Sequence, residues 1–291
     1  NPPIIHVSGR MFPVSIFYVE KPESDYVDAT SISVLQLNMD LDMPGDFLVF
    51  LTGQEEIDEL VKLLSSKTTD PPLHVLPLYA ALPLHLQQKV FEDAPQGHRK
   101  VILSTNIAET SVTIPGIKYV IDCGLVKIKT FNPLSGIECL GVSPIAKAQA
   151  MQRSGRAGRE SEGACFRLYT EDTFFDLKDS PIAEIRRADL STVVLQLFAL
   201  GIDNPLKFNF LEQPPIQMLQ SSLETVYSLG AIDDNGKLTE DGRIMATFPL
   251  TPKMTRLLLV ASRRGCGSQA ITLLSMLSCE NLYINPIDKR K

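Results

Sequence analysis

Short, uninterrupted apolar runs alternate with helical patterns over residues 13–170, and this alternation constrains the fold of the chain more than any other feature. The run Phe47–Leu51 is apolar at every position, as expected for a strand that is covered on both faces. The predicted strands are Val14–Val19, Phe47–Leu51, Val75–Leu78, Lys100–Ser104, Lys118–Asp122 and Cys165–Tyr169, with helices near residues 26–40, 54–65 and 83–92. The pattern predicts an α/β fold with a doubly wound parallel sheet, in which ligands meet the carboxyl ends of the strands.

Two features depart from this alternation. Val126–Phe131 and Ile137–Val142 flank a stretch of turn-forming residues and predict a β-hairpin insertion, after which a helix from Ala146 carries Gln152 to Arg156. From about residue 181 the chain becomes helical, with apolar residues at helical spacing over 190–200 and 215–229 and a short hairpin over 231–239. This order indicates an α-rich winged-helix domain. Helices over 253–261 and 268–277 begin another helical domain.

Composition narrows the class of protein. The 291 residues, 44% of them apolar, allow two domains with a substantial core, and no apolar run is long enough for a membrane-spanning helix. The five cysteines lack a Cys-x-x-Cys pair and the four histidines lack metal-ligand spacing, so we expect a reducing intracellular compartment and no metal site. A net charge of −6 argues against binding nucleic acid by overall charge, so such binding must depend on local geometry.

Residues 152–159, Gln-Arg-Ser-Gly-Arg-Ala-Gly-Arg, place three arginines at steps of three between small residues. A guanidinium is a planar, permanently charged group that suits phosphate oxygens. Small residues leave room for another body to approach closely. The octet therefore predicts a surface that meets a phosphate, although a solvated basic face near a helix end remains an alternative for the octet alone.

Three long segments, in order, resemble the DEAH-box family of ATP-dependent RNA helicases. Residues 50–57 (FLTGQEEI) resemble motif IV, residues 104–114 (STNIAETSVTI) resemble motif V, and residues 152–159 resemble motif VI. The resemblance spans essentially the whole chain. It implies a linker from a missing first RecA-like domain over 1–9, a second RecA-like domain over 10–180, a winged helix over 181–249 and the truncated start of a ratchet-type helical domain over 250–291.

The resemblance implies a role for several residues in binding and hydrolysing ATP. Gln152, Arg156 and Arg159 would face the γ-phosphate, the two arginines as catalytic fingers that stabilise charge during phosphoryl transfer. Phe91 would stack on the adenine, although a phenylalanine at a helix end is usually a core residue. Arg153 would hold the motif in place through neighbouring carboxylates. Many family members carry a ribose-binding acidic residue where this chain has proline at position 115, so that role is not transferred.

The resemblance also implies contacts with the backbone of RNA, without reading of its sequence. The expected RNA-binding residues are Thr52, Gly53, Thr105, Asn106, Thr113, Lys127 and Lys129. Side chains of serine, threonine and asparagine often cap helices instead, which is the role we favour for Ser104, and exposed strand lysines often serve only solubility.

The chain contains no Gly-x-x-x-x-Gly-Lys-[Ser/Thr] phosphate loop and no Asp-Glu-Ala-His sequence. The resemblance implies that the first RecA-like domain supplies both and is needed to bind ATP, or another NTP, with Mg²⁺, so this segment should be inactive alone. The implied function is NTP hydrolysis coupled to 3′–5′ translocation on single-stranded RNA and to remodelling of RNA or RNP. The implied partners are RNA, the first RecA-like domain, and a G-patch-type activator or RNP complex, in the nucleus, nucleolus or cytoplasm. A noncatalytic scaffold that binds RNA or protein, and a DNA helicase, remain alternatives.

Overall fold

The computed structural model describes residues 3–5, 12–40, 44–110 and 113–279. The chain forms two compact units, one of residues 1–128 with 142–181 and one of residues 129–141 with 182–291. Most of the predicted linker over 1–9, residues 111–112 of the predicted motif V and residues 280–291 of the predicted helical domain lie outside the described residues. The predicted domain boundaries stay predictions.

A six-stranded parallel sheet forms the centre of the first unit, as the apolar runs predict. The strands of this unit and of the hairpin are β1 (Val14–Tyr18), β2 (Asp46–Phe50), β3 (Leu73–Leu78), β4 (Arg99–Ser104), β5 (Ile117–Asp122), β6 (Leu125–Asn132), β7 (Ile137–Pro144) and β8 (Gly163–Arg167). The sheet has the strand order β1-β8-β5-β2-β4-β3, so it is doubly wound. A separate antiparallel hairpin is formed by β6 and β7.

Apolar side chains cover both faces of this sheet because successive residues of a strand point to opposite sides. In β2, Phe47 and Val49 pack in one core cluster, while Leu48 and Phe50 pack in the other. The first cluster also contains three buried residues of α2, and the second contains Ala157 from the arginine-rich octet. The helices of this unit are α1 (Tyr26–Asp40), α2 (Gln54–Ser65), α3 (Leu84–Gln87), α4 (Ile107–Thr110), α5 (Lys147–Ser154) and α6 (Glu171–Asp176).

Two helical predictions in this unit need correction. The helix predicted over 83–92 is only the four-residue α3 followed by a 3₁₀ turn, Gln88–Phe91, after which Glu92 adopts an extended conformation. The predicted helix that carries Gln152 to Arg156 ends at Ser154, with Gly155 as its C-cap. Arg156 and Arg159 therefore stand on the turn that follows α5, and only Gln152 and Arg153 stand on the helix itself.

The second unit is helical and contains the tip of the hairpin, residues 129–141. The backbone N–H of Phe131 donates to the Arg187 carbonyl at 2.7 Å, and Arg187 Nη1 donates to the Lys129 carbonyl at 2.9 Å. The Phe131 ring packs against the core of this unit. Its helices are α7 (Ser191–Ala199), α8 (Ile216–Ser228), α9 (Glu240–Thr247), α10 (Pro252–Arg263) and α11 (Gly267–Leu277), with 3₁₀ turns at Glu184–Arg186 and Pro205–Lys207.

A glycine marks the end of one helix of this unit, whereas the hairpin and the helix that follow it differ from the sequence prediction. Gly230 ends α8 with φ +71°, a left-handed conformation that glycine adopts without steric cost. The hairpin predicted over 231–239 is reduced to one isolated bridge between Ile232 and Leu238. Helix α9, which follows it, is missing from the sequence prediction. None of the helices in the described residues has the length and apolar character needed to span a membrane.

Candidate functional site

The segments that resemble motifs IV and V lie side by side at the carboxyl edge of the sheet. Their strands, β2 and β4, are hydrogen-bonded neighbours, and the last residue of β2, Phe50, is paired with Ser104. On its other side Phe50 is paired with Asp122, which is in turn paired with Arg167 of β8. The loops that follow these strands therefore start from one row across the sheet, which is where doubly wound proteins bind their ligands.

Glu109 of α4 joins the motif V segment to the motif VI segment. Its carboxylate accepts hydrogen bonds from Arg153 Nε at 2.8 Å and from Gln149 Nε2 at 3.2 Å. Its backbone carbonyl accepts a hydrogen bond from Arg156 Nη2. One residue of motif V thus binds three side chains from α5 and the turn that follows it, so the two segments form a single hydrogen-bonded body.

Arg153 is the buried centre of this body, with 0% of its side chain exposed. Its Nη1 donates to Asp122 Oδ1 at 2.7 Å, its Nη2 donates to the Leu125 carbonyl at 3.1 Å, and its guanidinium lies 4.8 Å from the centre of the Phe50 ring. Burial opposes the positive charge, but neighbouring negative groups, led by Asp122, outweigh it and raise the pKa of Arg153. The prediction that carboxylates hold Arg153 in a structural position is confirmed.

Arg156 and Arg159 place two positive charges close together just beyond α5. Arg156 is 7% exposed, and its pKa is lowered to about 10, first by burial and then by the charge of Arg159. Arg159 is partly exposed and its Nη1 donates to the Thr113 hydroxyl. Gln152 is exposed on the last turn of α5. Because the two guanidinium groups repel each other, an anion bound between them would be stabilised by both.

The sequence suggests that the small residues of the octet leave space for a ligand, but Ala157 and Gly158 do not. Ala157 is fully buried in the core. A β-carbon on Gly158 would lie 2.6 Å from the Phe12 carbonyl oxygen. These two positions are small because the chain's own backbone passes beside them. The small residues therefore allow the octet to pack against the rest of the chain, and the arginines keep their positions on the turn.

The motif IV segment brings a helix N-terminus and a lysine to one point. Gly53 is the N-cap of α2 in extended conformation, and the Lys127 Nζ lies 2.5 Å from the position that a β-carbon on Gly53 would occupy. Only a residue without a side chain allows this close approach. The first N–H groups of a helix point outward and favour anions, and an ammonium group favours them too. Thr52 is less available to bind an anion, because its hydroxyl and its N–H both donate to the Glu56 carboxylate, at 2.6 and 3.1 Å.

The motif V side chains differ in their exposure. Asn106 is exposed and Thr105 partly so, and both lie at the start of α4. Thr113 is exposed and is the partner of Arg159. Ser104 is fully buried and donates to the Thr105 carbonyl at 2.9 Å. Its role is structural, but it is not the predicted helix cap, because a capping oxygen accepts a hydrogen bond from a helix N–H. The contacts of Thr105, Asn106 and Thr113 with RNA stay predictions.

Two further predicted residues stand apart from the arginines along the chain. Phe91 is 46% exposed at the end of its 3₁₀ turn, so it is a surface aromatic residue and not the core residue that a helix end usually provides. Lys129 belongs to the second unit, where its Nζ lies 2.6 Å from the Glu138 carboxylate on the neighbouring strand. Both side chains of that pair are substantially exposed.

Sequence reasoning missed the groups that organise this site. Glu109 and Asp122 carry no signal of burial in the sequence, and Tyr26, which donates to Glu56 at 2.7 Å, lies in a helix that the sequence marks only as structural. The described residues contain no cluster of three or more histidine, cysteine, aspartate or glutamate side chains that could hold a metal ion.

Comparison with family models matches three consecutive parts of the chain. Residues 31–161 match the helicase conserved C-terminal domain. Residues 222–250 match the winged-helix part of the helicase-associated domain HA2, and residues 251–291 match its ratchet-like part.

Curated relatives are similar over nearly the whole chain. The pre-mRNA-splicing factor ATP-dependent RNA helicase prp22 of Schizosaccharomyces pombe is 45% identical over 99% of this chain and 25% of its own length. The human ATP-dependent RNA helicase DHX33 is 44% identical over 99% of this chain and 42% of its own length. The pre-mRNA-splicing factor ATP-dependent RNA helicase DEAH10 of Arabidopsis thaliana is 46% identical over 99% of this chain and 41% of its own length. The chain thus spans between a quarter and about two fifths of these relatives.

Two solved helicase structures also superpose on nearly the whole chain. The Escherichia coli DEAH/RHA helicase HrpB superposes with a TM-score of 0.87 at 32% identity, over 96% of this chain and 35% of its own. A second structure, described as the E. coli DExH-box NTPase HrpB, superposes with a TM-score of 0.83 over 95% of this chain and 34% of its own. The chain belongs to the DEAH-box RNA helicase family, and it carries a conserved C-terminal helicase domain followed by winged-helix and ratchet-like helicase-associated domains.

Proposed function

We propose that this chain supplies one wall of the ATP site and part of the RNA path of an ATP-dependent RNA helicase. The observation that carries the proposal is that the guanidinium groups of Arg156 and Arg159 stand on one turn and bind one segment of the chain. Arg156 donates to the Glu109 carbonyl and Arg159 donates to the Thr113 hydroxyl. Two mutually repelling cations on the turn after α5 favour a strongly charged anion. A triphosphate is such an anion.

The nucleotide would be shared with the first RecA-like domain. Arg156, Arg159 and Gln152 would face the γ-phosphate, where the two arginines stabilise the charge that develops during its transfer to water. The exposed Phe91 ring would stack on the base, an interaction that tolerates any base. The phosphate-loop lysine and the acidic ligands of Mg²⁺ would come from the first RecA-like domain, since neither motif occurs in this sequence.

Single-stranded RNA would be held through its backbone along the loops after β2 and β4. The ammonium of Lys127 and the first N–H groups of α2 beyond Gly53 would bind one phosphate. Asn106, Thr105 and Thr113 would donate hydrogen bonds to neighbouring phosphate or sugar oxygens. Thr52 would contribute at most weakly, because Glu56 already accepts from its hydroxyl and N–H. Lys129 would contact RNA from the hairpin in the second unit.

The contacts of Glu109 and Thr113 would couple the two ligands. Arg159, which is proposed to bind phosphate, is bonded to Thr113, which is proposed to bind RNA. Arg156 is bonded to the carbonyl of Glu109 in the same motif V segment. A displacement of the arginines toward a phosphate would therefore act on the loop that holds the RNA. Repeated cycles of ATP binding and hydrolysis would move the protein along RNA in the 3′–5′ direction.

The wider setting of the protein is also a proposal. Two relatives are named as pre-mRNA-splicing factors, which favours nuclear RNA processing and work on an RNP complex. We include a G-patch-type activator among the proposed partners, and nucleolar or cytoplasmic roles of the same motor among the proposed settings.

The test uses the full-length protein with RNA duplexes that carry a single-stranded tail on either the 3′ or the 5′ side. We expect ATP-dependent strand separation only when the loading tail is 3′, because translocation from that tail runs into the duplex. Equal unwinding of both substrates would contradict the direction, and equal activity on a DNA loading strand would favour the DNA helicase. A full-length protein that binds RNA but hydrolyses no ATP would favour the noncatalytic scaffold. The 291-residue chain is the matched control and is expected to hydrolyse no ATP.

Replacing Lys127 with alanine is expected to weaken the binding of single-stranded RNA about fivefold and to reduce the salt dependence of binding by about one unit of slope. The reason is that its ammonium stands over Gly53, where a phosphate would lie next to the helix N-terminus. Fluorescence anisotropy with labelled oligouridylate at several salt concentrations measures both quantities. Lys67→Ala is the control, because Lys67 is exposed just beyond the other end of α2. An identical salt slope in the two variants would argue against the phosphate contact.

A further inference from the structure

The exposed ring of Phe91 stands on a segment with little secondary structure of its own. The 3₁₀ turn Gln88–Phe91 has four residues, and Glu92 is extended immediately after it. Val90 is fully buried in the core on one face of the sheet, while Phe91 beside it is 46% exposed. So short a turn has few internal hydrogen bonds, so the orientation of the ring depends on what anchors the backbone around it.

A buried lysine anchors the backbone on both sides of Phe91. Lys100, the second residue of β4, is 1% exposed. Its Nζ donates to the Val90 carbonyl at 3.2 Å and to the Glu92 carbonyl at 3.0 Å. These are the carbonyl groups of the residues directly before and after Phe91. The ammonium therefore ties the turn to an interior strand of the sheet at the two points that flank the exposed ring.

Asp46 completes the surroundings of this ammonium. Its Oδ2 lies 3.7 Å from Lys100 Nζ, and its Oδ1 accepts the Lys100 backbone N–H at 3.0 Å. The three donors of the ammonium thus face two carbonyl oxygens and one carboxylate. A buried charge is unfavourable unless it is paired and its donors are satisfied, and an apolar side chain would fill the same space without that requirement. The presence of a lysine here, and not an apolar residue, points to a need for hydrogen-bond donors at the Val90 and Glu92 carbonyl groups.

We infer that Lys100 is a positioning residue for the nucleotide base, because it holds residues 90–92 so that the Phe91 ring stays exposed in one orientation. The inference rests on the proposed function, in which Phe91 stacks on the base. A ring that is already fixed loses less conformational freedom when a base stacks on it. A lysine that serves stability alone would leave the affinity of the folded protein for the base unchanged.

The test compares ADP with ribose 5-diphosphate, which lacks the base, by calorimetric titration of the full-length protein. Phe91→Ala and Lys100→Met are each expected to weaken ADP binding about fivefold or more and to leave the binding of ribose 5-diphosphate within about twofold. The double variant is expected to bind ADP no more weakly than Phe91→Ala, because Lys100 acts through the ring. Lys100→Gln, whose amide still donates to a carbonyl, is expected to bind ADP with intermediate affinity.

Two different results separate failure of this inference from failure of the proposed function. Equal losses for both ligands in Lys100→Met, or losses that add in the double variant, would overturn the positioning role and leave base stacking in place. Unchanged ADP affinity in Phe91→Ala would overturn base stacking and the inference with it. If thermal unfolding shows that Lys100→Met does not fold, the test uses Lys100→Gln instead. Trifluoromethyl-phenylalanine is placed at position 91, and its ¹⁹F signal is compared between proteins with lysine and with glutamine at position 100. A shifted or broadened ¹⁹F signal supports the positioning role, and an unchanged signal overturns it.

Discussion

Replacing Arg159 or Arg156 with alanine in the full-length protein is expected to lower the RNA-stimulated rate of ATP hydrolysis about 10³-fold. Each change removes one of two adjacent positive charges that would stabilise the γ-phosphate during transfer. Arg159 gives the cleaner experiment, because it is partly exposed whereas Arg156 is 7% exposed and bonded to the Glu109 carbonyl. Steady-state phosphate release at saturating RNA measures the effect, with thermal unfolding to verify the fold.

The control for this experiment is Arg186→Ala. Arg186 lies in the second unit, where half of its side chain is exposed and its Nη1 is 3.4 Å from Glu212, so its loss is expected to leave the ATPase rate almost unchanged. A lysine at position 159 keeps the charge but loses the planar fork, and is expected to recover only part of the rate. Undiminished turnover in both alanine variants would refute the role of the arginines as fingers.

Replacing Arg153 with methionine is expected to destabilise the first unit by about 3–5 kcal/mol, enough to unfold a marginally stable domain. The methionine fills a similar volume, but it leaves the carboxylates of Asp122 and Glu109 buried without their partner. Asp122 would retain its hydrogen bonds from the Gly124 N–H and the Tyr169 hydroxyl, which do not neutralise its charge. Chemical denaturation of the purified variant measures the loss of unfolding free energy.

Lys147→Met is the matched control for this second experiment because it lies on the same helix. Its Nζ is 3.3 Å from Asp179, which is almost fully exposed, and surface ion pairs of this kind contribute less than about 1 kcal/mol. Combining Arg153→Met with Asp122→Asn and Glu109→Gln is expected to recover part of the lost stability, since no buried charge then lacks a partner. A loss no larger than that of Lys147→Met would show that the buried network contributes little.

Local patterns suffice to predict the sheet and most of the helices. A strand such as Asp46–Phe50 is recognisable because every residue from Phe47 onward is apolar and fully covered in the fold. Helix α9 is missed although its signal is present, since the Thr239 hydroxyl accepts the Gly242 N–H and two acidic residues follow it. The helix predicted over 83–92 ends earlier than its apolar pattern suggests, and the carbonyl groups of Val90 and Glu92 accept hydrogen bonds from Lys100 on a strand instead.

Some residues of the candidate site can be predicted from the sequence near them, and others cannot, because their partners lie far along the chain. Arg156, Arg159, Asn106 and Phe91 are recognisable because each belongs to a run of residues that carries its own pattern. Glu109 is not, because its importance comes from Arg153, which lies 44 residues further along the chain. Gly53 and Lys127 lie similarly far apart in sequence, and only the fold shows that the ammonium occupies the space where a side chain at position 53 would lie.

The sequence by itself determined the fold class and the order of the motifs, and it named the residues proposed to bind phosphate, because periodicity and motif resemblance are read from local stretches of residues. The tertiary structure decided which of those residues are available. It buried Arg153 between Asp122 and Glu109, engaged Thr52 with Glu56, and joined Arg156 and Arg159 to the segment that holds Glu109 and Thr113. The physical reason is that burial, pairing of charges and shifts of pKa depend on neighbours from distant strands, and folding alone brings those neighbours together.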